Sequence, residues 1–216
     1  MLWLTVIGAA VVVALMFGFD ATEISMMPKR GDPNLWPARI LTDFGKEAYV
    51  LWCLFAALIV VVMLGPLLQG PPRVRLLHLG THLRYAFLAV LLPVLFTEVI
   101  KWVIGRGRPF VGGKANAFNF APFAGTEAYF SFPSAHSVTA FALAFAVGAV
   151  WPRARLPLFL YAVAIGATRL VLLAHHPSDV AGGAVIGLIG AIAVRYHFAA
   201  RQLGFGIAGN GEIVPL

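Results

Sequence analysis

Tyr85–Pro109, YAFLAVLLPVLFTEVIKWVIGRGRP, decides the fold. From Tyr85 to Gly105 it is apolar except for Glu98 and Lys101, and it has the length of a membrane-crossing helix, for which about 20 residues are needed. It then turns basic and ends at Arg108-Pro109, where the proline stops the helix and fixes the exit of the chain. Ionisable groups at the edge of such a span are costly and mark function by default. Two more polar clusters sit at the borders of apolar runs: Pro133-Ser134-Ala135-His136, and Arg169-x5-His175-x3-Asp179.

Further apolar runs flank this one: Leu2 to Phe19, Ala48 to Leu68, Ala135 to Trp151, Leu156 to Leu173 and Asp179 to Ala199. The chain therefore reads as an all-α, polytopic membrane bundle of about six transmembrane helices, forming a single domain over residues 1–216. Composition agrees: 60% of the residues are hydrophobic and 12% charged, against about 25% charged in a soluble domain. The first run has no preceding Lys or Arg and no clear small-residue cleavage site after it, so it reads as a retained span and not a secretory leader. The last run holds Gly182, Gly183, Gly187 and Gly190, which let helices approach closely in lipid. Trp36, Trp52, Trp102 and Trp151 read as interface anchors.

The net charge of +7 does not indicate nucleic acid, because the basic residues lie in short connections or inside the clusters, with no basic stripe interleaved with aromatics. The one cysteine, Cys53, excludes an intrachain disulfide and a cysteine-based metal site. Polar connections are expected over Asp20–Glu47 and Gln69–Arg84. The connection Arg106–Pro133 holds Phe110, Phe118, Phe120, Phe123, Tyr129, Phe130 and Phe132, an aromatic content suited to headgroup depth.

With six spans, the first, third and fifth connections share one membrane face, and all three clusters meet there. The dense basic turns, Arg73 with Arg75 and Arg153 with Arg155, favour the other face as cytoplasmic. The expected location is thus the inner membrane, with the clusters on its outer, periplasmic face.

The clusters have a common chemistry. Lys101, Arg108 and Arg169 can neutralise a phosphate dianion, the arginines by a planar fork and the lysine as a point charge that reaches the membrane surface by snorkelling. Ser134 supplies a hydroxyl. The amides of Ala135 and His136 lie where a helix begins, a place that favours an anion. Asp179, four residues after His175, can bond one ring nitrogen and leave the other free to attack. His136 can protonate a leaving oxygen. The cations replace a metal, so neither metal nor cofactor is expected. Glu98, one turn from Lys101, reads as its structural ion-pair partner.

These motifs, K-x6-R-P, P-S-x-H and R-x5-H-x3-D in this order within residues 85–199, resemble those of the type 2 phosphatidic acid phosphatase superfamily. The resemblance implies a membrane phosphatase with His175 as the nucleophile of a phosphohistidine intermediate, Asp179 supporting it and His136 as general acid. It assigns phosphate binding to Lys101, Arg108, Ser134 and Arg169. Ala135 stands where the family usually has glycine, and Thr168 where it usually has serine before the arginine. The implied partner is a lipid phosphate held in the bilayer: undecaprenyl pyrophosphate, phosphatidylglycerol phosphate, phosphatidic acid or lipid A. Two other readings use the same groups: phosphotransfer to a second lipid, and transport of an anion. Inverted repeats and broken midplane helices, which would favour transport, are not apparent.

Overall fold

A computed structural model describes residues 1–109, 111, 116–209 and 211–216; Phe110, Gly112, Gly113 and Lys114 of the aromatic connection lie outside them. Its α-helices are α1 (Leu2–Gly18), α2 (Asp20–Met26), α3 (Trp36–Asp43), α4 (Glu47–Leu64), α5 (Gly70–Ile104), α6 (Ala135–Val150), α7 (Arg155–Val171) and α8 (Pro177–Ala200). Two short antiparallel strands follow, β1 (Phe205–Ile207) and β2 (Ile213–Pro215), with Gly206 opposite Val214.

The centre of the bundle is α6, packed against α5, α7 and α8. Its small residues make this possible. Val138, Ala142, Ala146 and Ala149, spaced for one helix face, are buried with Tyr85, Ala89, Val90 and Val94 of α5 and Ala191, Val194 and Phe198 of α8. At Gly187 the backbones of α6 and α8 nearly touch. A Cβ there would lie 2.5 Å from the Val138 carbonyl oxygen, so no other residue fits. The expected packing role of the α8 glycines thus holds at this contact.

Among the described residues, four helical segments are long and apolar enough to cross a membrane: 33–67, 70–104, 152–171 and 177–200. The pair α1 and α2, bent by 56° at their junction, makes a fifth if it is taken as one span. The 16 residues of α6 extend only about 24 Å at 1.5 Å per residue.

Two connections differ from the sequence reading. The stretch from Gly70 to Arg84 is helical and continuous with the third span, giving a 35-residue α5. Pro71 and Pro72 occupy its first turn, where a missing N–H costs nothing, so Gly-Pro-Pro begins a helix here and does not interrupt one. The region 20–47, read as a polar loop, contains α2 and α3. The Tyr161 hydroxyl of α7 donates to the Phe44 carbonyl (2.7 Å), which ties the end of α3 to the bundle.

The chain leaves α5 sharply. Gly105 adopts a left-handed conformation (φ 57°, ψ 45°), its N–H bonded to the Lys101 carbonyl at 2.9 Å. A Cβ at Gly105 would lie 2.0 Å from the Ala121 oxygen. This turn sends Arg106 into a bridge with Phe120 and starts the connection that roofs one end of the bundle.

Candidate active site

The three clusters meet at that end. The Ser134 amide donates to the Asp179 carbonyl (3.1 Å), joining the start of α6 to the first turn of α8. The Ser131 amide donates to the Arg106 carbonyl (3.0 Å), joining the end of the long connection to the exit of α5. The amides of Ala174 and His175 both donate to the Arg169 carbonyl (3.0 and 3.3 Å), folding the α7–α8 turn back on its own helix.

His175 sits in that turn, 3% exposed. Its Nδ1 lies 2.7 Å from the Ser131 carbonyl oxygen. A carbonyl only accepts, so Nδ1 carries the proton and Nε2 keeps its lone pair. Burial pushes the imidazole down to about 4, with Asp179 pulling the other way and Arg169 and Arg108 pushing with it. The ring is neutral at physiological pH.

Asp179 does not bond this ring, contrary to expectation. Its Oδ2 stands 3.8 Å from Nδ1. That oxygen instead accepts from the Ser131 hydroxyl (2.6 Å) and the His176 amide (2.8 Å), and Oδ1 accepts from Arg106 Nη1 (2.6 Å). The carboxylate thus reaches the imidazole through Ser131, whose carbonyl sets the tautomer.

Lys101 also departs from the reading. It does not snorkel outward but is buried, and its Nζ pairs with Glu98 Oε1 at 2.6 Å. Pro93, Thr97 and Lys101 are spaced four apart, and all three are buried on the inward face of α5. The expected Glu98 partnership is present.

The remaining residues share one property. Arg108 Nη2 reaches Glu127 (3.2 Å) and Arg169 Nη1 donates to Thr42 Oγ1 (2.7 Å). Yet Nε of both arginines, Ser134 Oγ and His136 Nε2 are buried with no hydrogen-bond partner among the described residues. The charge of Arg108 is felt at Arg169, and those of Arg169, Lys101 and Lys46 at His136. Ser134 stands at the N-cap position of α6 with its hydroxyl making no capping bond, and the first residues of the helix are Ala135 and His136. Leaving a buried donor unpaired costs about 1–3 kcal/mol, and bringing cations together costs more. An anion with several acceptor oxygens relieves both.

Sequence reasoning missed the groups behind His175. Arg106 is 1% exposed and Asp20 and Ser178 are fully buried. The signal for Arg106 in the sequence is its place in GRGRP, two residues before Arg108. His176, also fully buried, lies on the Arg106 side, close to Asp20 and Asp179 and to the Gly107 backbone. In the aromatic connection, Phe118, Phe120 and Phe123 are exposed, with Phe123 edge-on to Trp102 at 4.7 Å. Among the described residues no group of three His, Cys, Asp or Glu side chains is placed to hold a metal ion.

A mostly helical membrane-type bundle with three polar motifs gathered at one end defines a class, and comparison with known proteins agrees. The model of the PAP2 superfamily matches residues 82–203, and the chain belongs to that family. It is similar to the lipid A 1-phosphatase of Rhizobium johnstonii, with 31% identity over 176 residues, 80% of this chain and 71% of the relative. It is also similar to the lipid A 1-phosphatase of Rhizobium etli, at 32% identity over 174 residues, 80% of this chain and 75% of that one. The crystal structure of Aquifex aeolicus LpxE shares the fold with a TM-score of 0.54 at 23% identity, covering 77% of this chain and 87% of that one.

Proposed function

We propose that this chain is an integral-membrane lipid phosphatase acting through a phosphohistidine, with lipid A 1-phosphate as its foremost substrate. The observation that carries the reading is the set of buried polar groups on Arg108, Ser134, His136 and Arg169, unpartnered among the described residues, beside the neutral ring of His175. The similarity to two lipid A 1-phosphatases supports the choice of lipid.

In this mechanism His175 Nε2 attacks phosphorus in line. An N–P bond forms as the P–O bond to the lipid breaks, and His136 protonates the departing oxygen. His136 then takes a proton from water, whose oxygen attacks phosphorus and expels the His175 nitrogen, releasing inorganic phosphate. Lys101, Arg108, Arg169, Ser134 and the amides of Ala135 and His136 hold the equatorial oxygens, where charge accumulates in the transition state. Asp179 is engaged by Arg106, Ser131 and His176, and three cationic side chains supply the neutralisation a metal would otherwise give.

Purified protein should therefore release inorganic phosphate from lipid A without an added acceptor lipid. Activity should survive excess EDTA and fall with orthovanadate, which adopts five-coordinate geometry. A panel containing lipid A, phosphatidic acid, phosphatidylglycerol phosphate and undecaprenyl pyrophosphate should show the highest kcat/KM on lipid A. Phosphate release that requires added Mg²⁺, or none from any of these lipids, would refute the proposal.

We further propose six spans, with α6 the short central one, and the site on the outer face of the inner membrane. The basic turns around Arg73–Arg75 and Arg153–Arg155 support that orientation. With Cys53 replaced, a cysteine at Glu127 should react with an impermeant thiol reagent outside spheroplasts, and one at Arg153 should not. Labelling at Arg153 alone would invert the topology.

A further inference from the structure

Behind the catalytic turn lies a buried ionic assembly in which the N-terminal helices take part. Every N–H of the Arg106 guanidinium is used. Nη1 donates to Ser178 Oγ and Asp179 Oδ1, both at 2.6 Å. Nη2 donates to Asp20 Oδ2 at 2.7 Å and to the Ala117 carbonyl at 2.8 Å, and Nε reaches the same carbonyl at 3.2 Å. This completes the five donors an arginine possesses.

Asp20 does more than pair with Arg106. Helix α8 begins after His176, whose amide is taken by Asp179 Oδ2 in a capping box, and Pro177 brings no N–H to its first turn. The next amide, that of Ser178, donates to Asp20 Oδ1 at 2.9 Å, and the Ser178 hydroxyl donates to Oδ2 at 2.5 Å. The carboxylate that receives this first-turn amide of α8 therefore comes from a different helix. Capping oxygens normally come from the residue just before the helix. The bend between α1 and α2 puts Asp20 at this position, 158 residues away in the chain.

From Asp20 the connections run to the nucleophile. Arg106 fixes Asp179, Asp179 holds the Ser131 hydroxyl, and the Ser131 carbonyl holds His175 Nδ1. The Arg106 carbonyl also takes the Ser131 amide. Asp20 lies outside residues 82–203 that the family model matches.

We propose that Asp20 is a positioning residue for catalysis: it caps α8 in trans and locks Arg106, so that the α1–α2 pair sets the aim of the His175 ring. This inference rests on His175 being the nucleophile. Displacing a reacting group by about 1 Å can cost 100-fold in rate. Asp20 touches none of the groups assigned to the phosphate, so substrate affinity should be spared.

The test compares full-length Asp20→Asn, Glu23→Gln, Ser178→Ala and His175→Ala with wild type, purified in detergent and assayed for phosphate release from a lipid phosphate. Rates are normalised to the monodisperse fraction. Asp20→Asn should lose about 10- to 100-fold in kcat, with KM within about threefold of wild type. Glu23→Gln should keep wild-type kcat. Glu23 is fully buried one turn along α2, feels the charge of Asp20 and Asp179 but makes no hydrogen bond to the assembly among the described residues, so its neutral isostere reports disturbance of that helix with the Asp20 contacts intact. If Asp20→Asn does not fold, Ser178→Ala answers the question, since it removes only the hydroxyl between Asp20 and Arg106. A several-fold fall in kcat at unchanged KM is then expected. Wild-type kcat in Asp20→Asn, or in Ser178→Ala where that variant stands in, overturns the proposal. So does an equal loss in Glu23→Gln, or a loss that appears in KM alone. An active His175→Ala would instead overturn the nucleophile assignment, which separates the two failures.

Discussion

His175→Ala is expected to lose about 1000-fold or more in kcat while still inserting and folding. The imidazole is the group whose Nε2 is free, because its Nδ1 proton is committed to the Ser131 carbonyl at 2.7 Å. Alanine leaves nothing to form the N–P bond, and the loss of a nucleophile removes the covalent path entirely. The fold should tolerate it, since the main-chain bonds of the turn, Ala174 and His175 to the Arg169 carbonyl, do not involve the side chain. The neighbouring His176→Ala should keep far more activity, because that ring lies on the Arg106 side of the turn. The comparison is made by phosphate release per folded molecule. If His175→Ala retains near-wild-type turnover, or if His176→Ala alone is inactive, the nucleophile has been misassigned.

Arg106→Met should be the most destabilising single change on this side of the bundle. Asp20 and Asp179 are both fully buried, and Arg106 is their shared countercharge at 2.7 and 2.6 Å. Removing one partner of a buried ionic group costs about 3–5 kcal/mol, because the remaining charge stays desolvated. For a chain of this size that corresponds to a fall in Tm of roughly 10 °C. Arg106→Lys should recover part of the loss, keeping the charge but not the fork that serves Asp20, Asp179, Ser178 and Ala117 together. Thermal unfolding in detergent measures both. A Tm for Arg106→Met within about 2 °C of wild type would mean, on the same conversion, that the assembly contributes little to stability.

The parts of this architecture that sequence conveys are those with a local signature. Apolar runs gave the positions of α1, α4, α6, α7 and α8 because each span is continuous in the chain. The spacing of Lys101, Arg108, Ser134, His136, Arg169, His175 and Asp179 was readable for the same reason. The start of α5 was not, because Gly70-Pro71-Pro72 can either break a chain or open a helix, and only the residues that follow decide. The hairpin of β1 and β2 escaped notice because three-residue strands have no period to detect.

The site itself was legible as a set of groups but not as a network. Nothing in the chain links Asp20 to Arg106, 86 residues apart, since a buried ion pair has no periodicity. Asp179 was read as the partner of the His175 ring because a side chain four residues away is a local pattern. The actual acceptor is the Ser131 backbone carbonyl, and a carbonyl carries no sequence identity. Lys101 was expected at the surface because lysines near helix ends usually snorkel. Its place in line with Pro93 and Thr97 on the inward face of α5 put it inside.

The central claim is a covalent phosphohistidine at His175, formed from a lipid phosphate. A single-turnover reaction with radiolabelled lipid A 1-phosphate, quenched in alkali and mapped by peptide, tests it most directly. The account predicts alkali-stable, acid-labile label on the peptide carrying His175, and none in His175→Ala. Turnover of the same substrate with the label on His176, or with none on any histidine at any time before product appears, would contradict it.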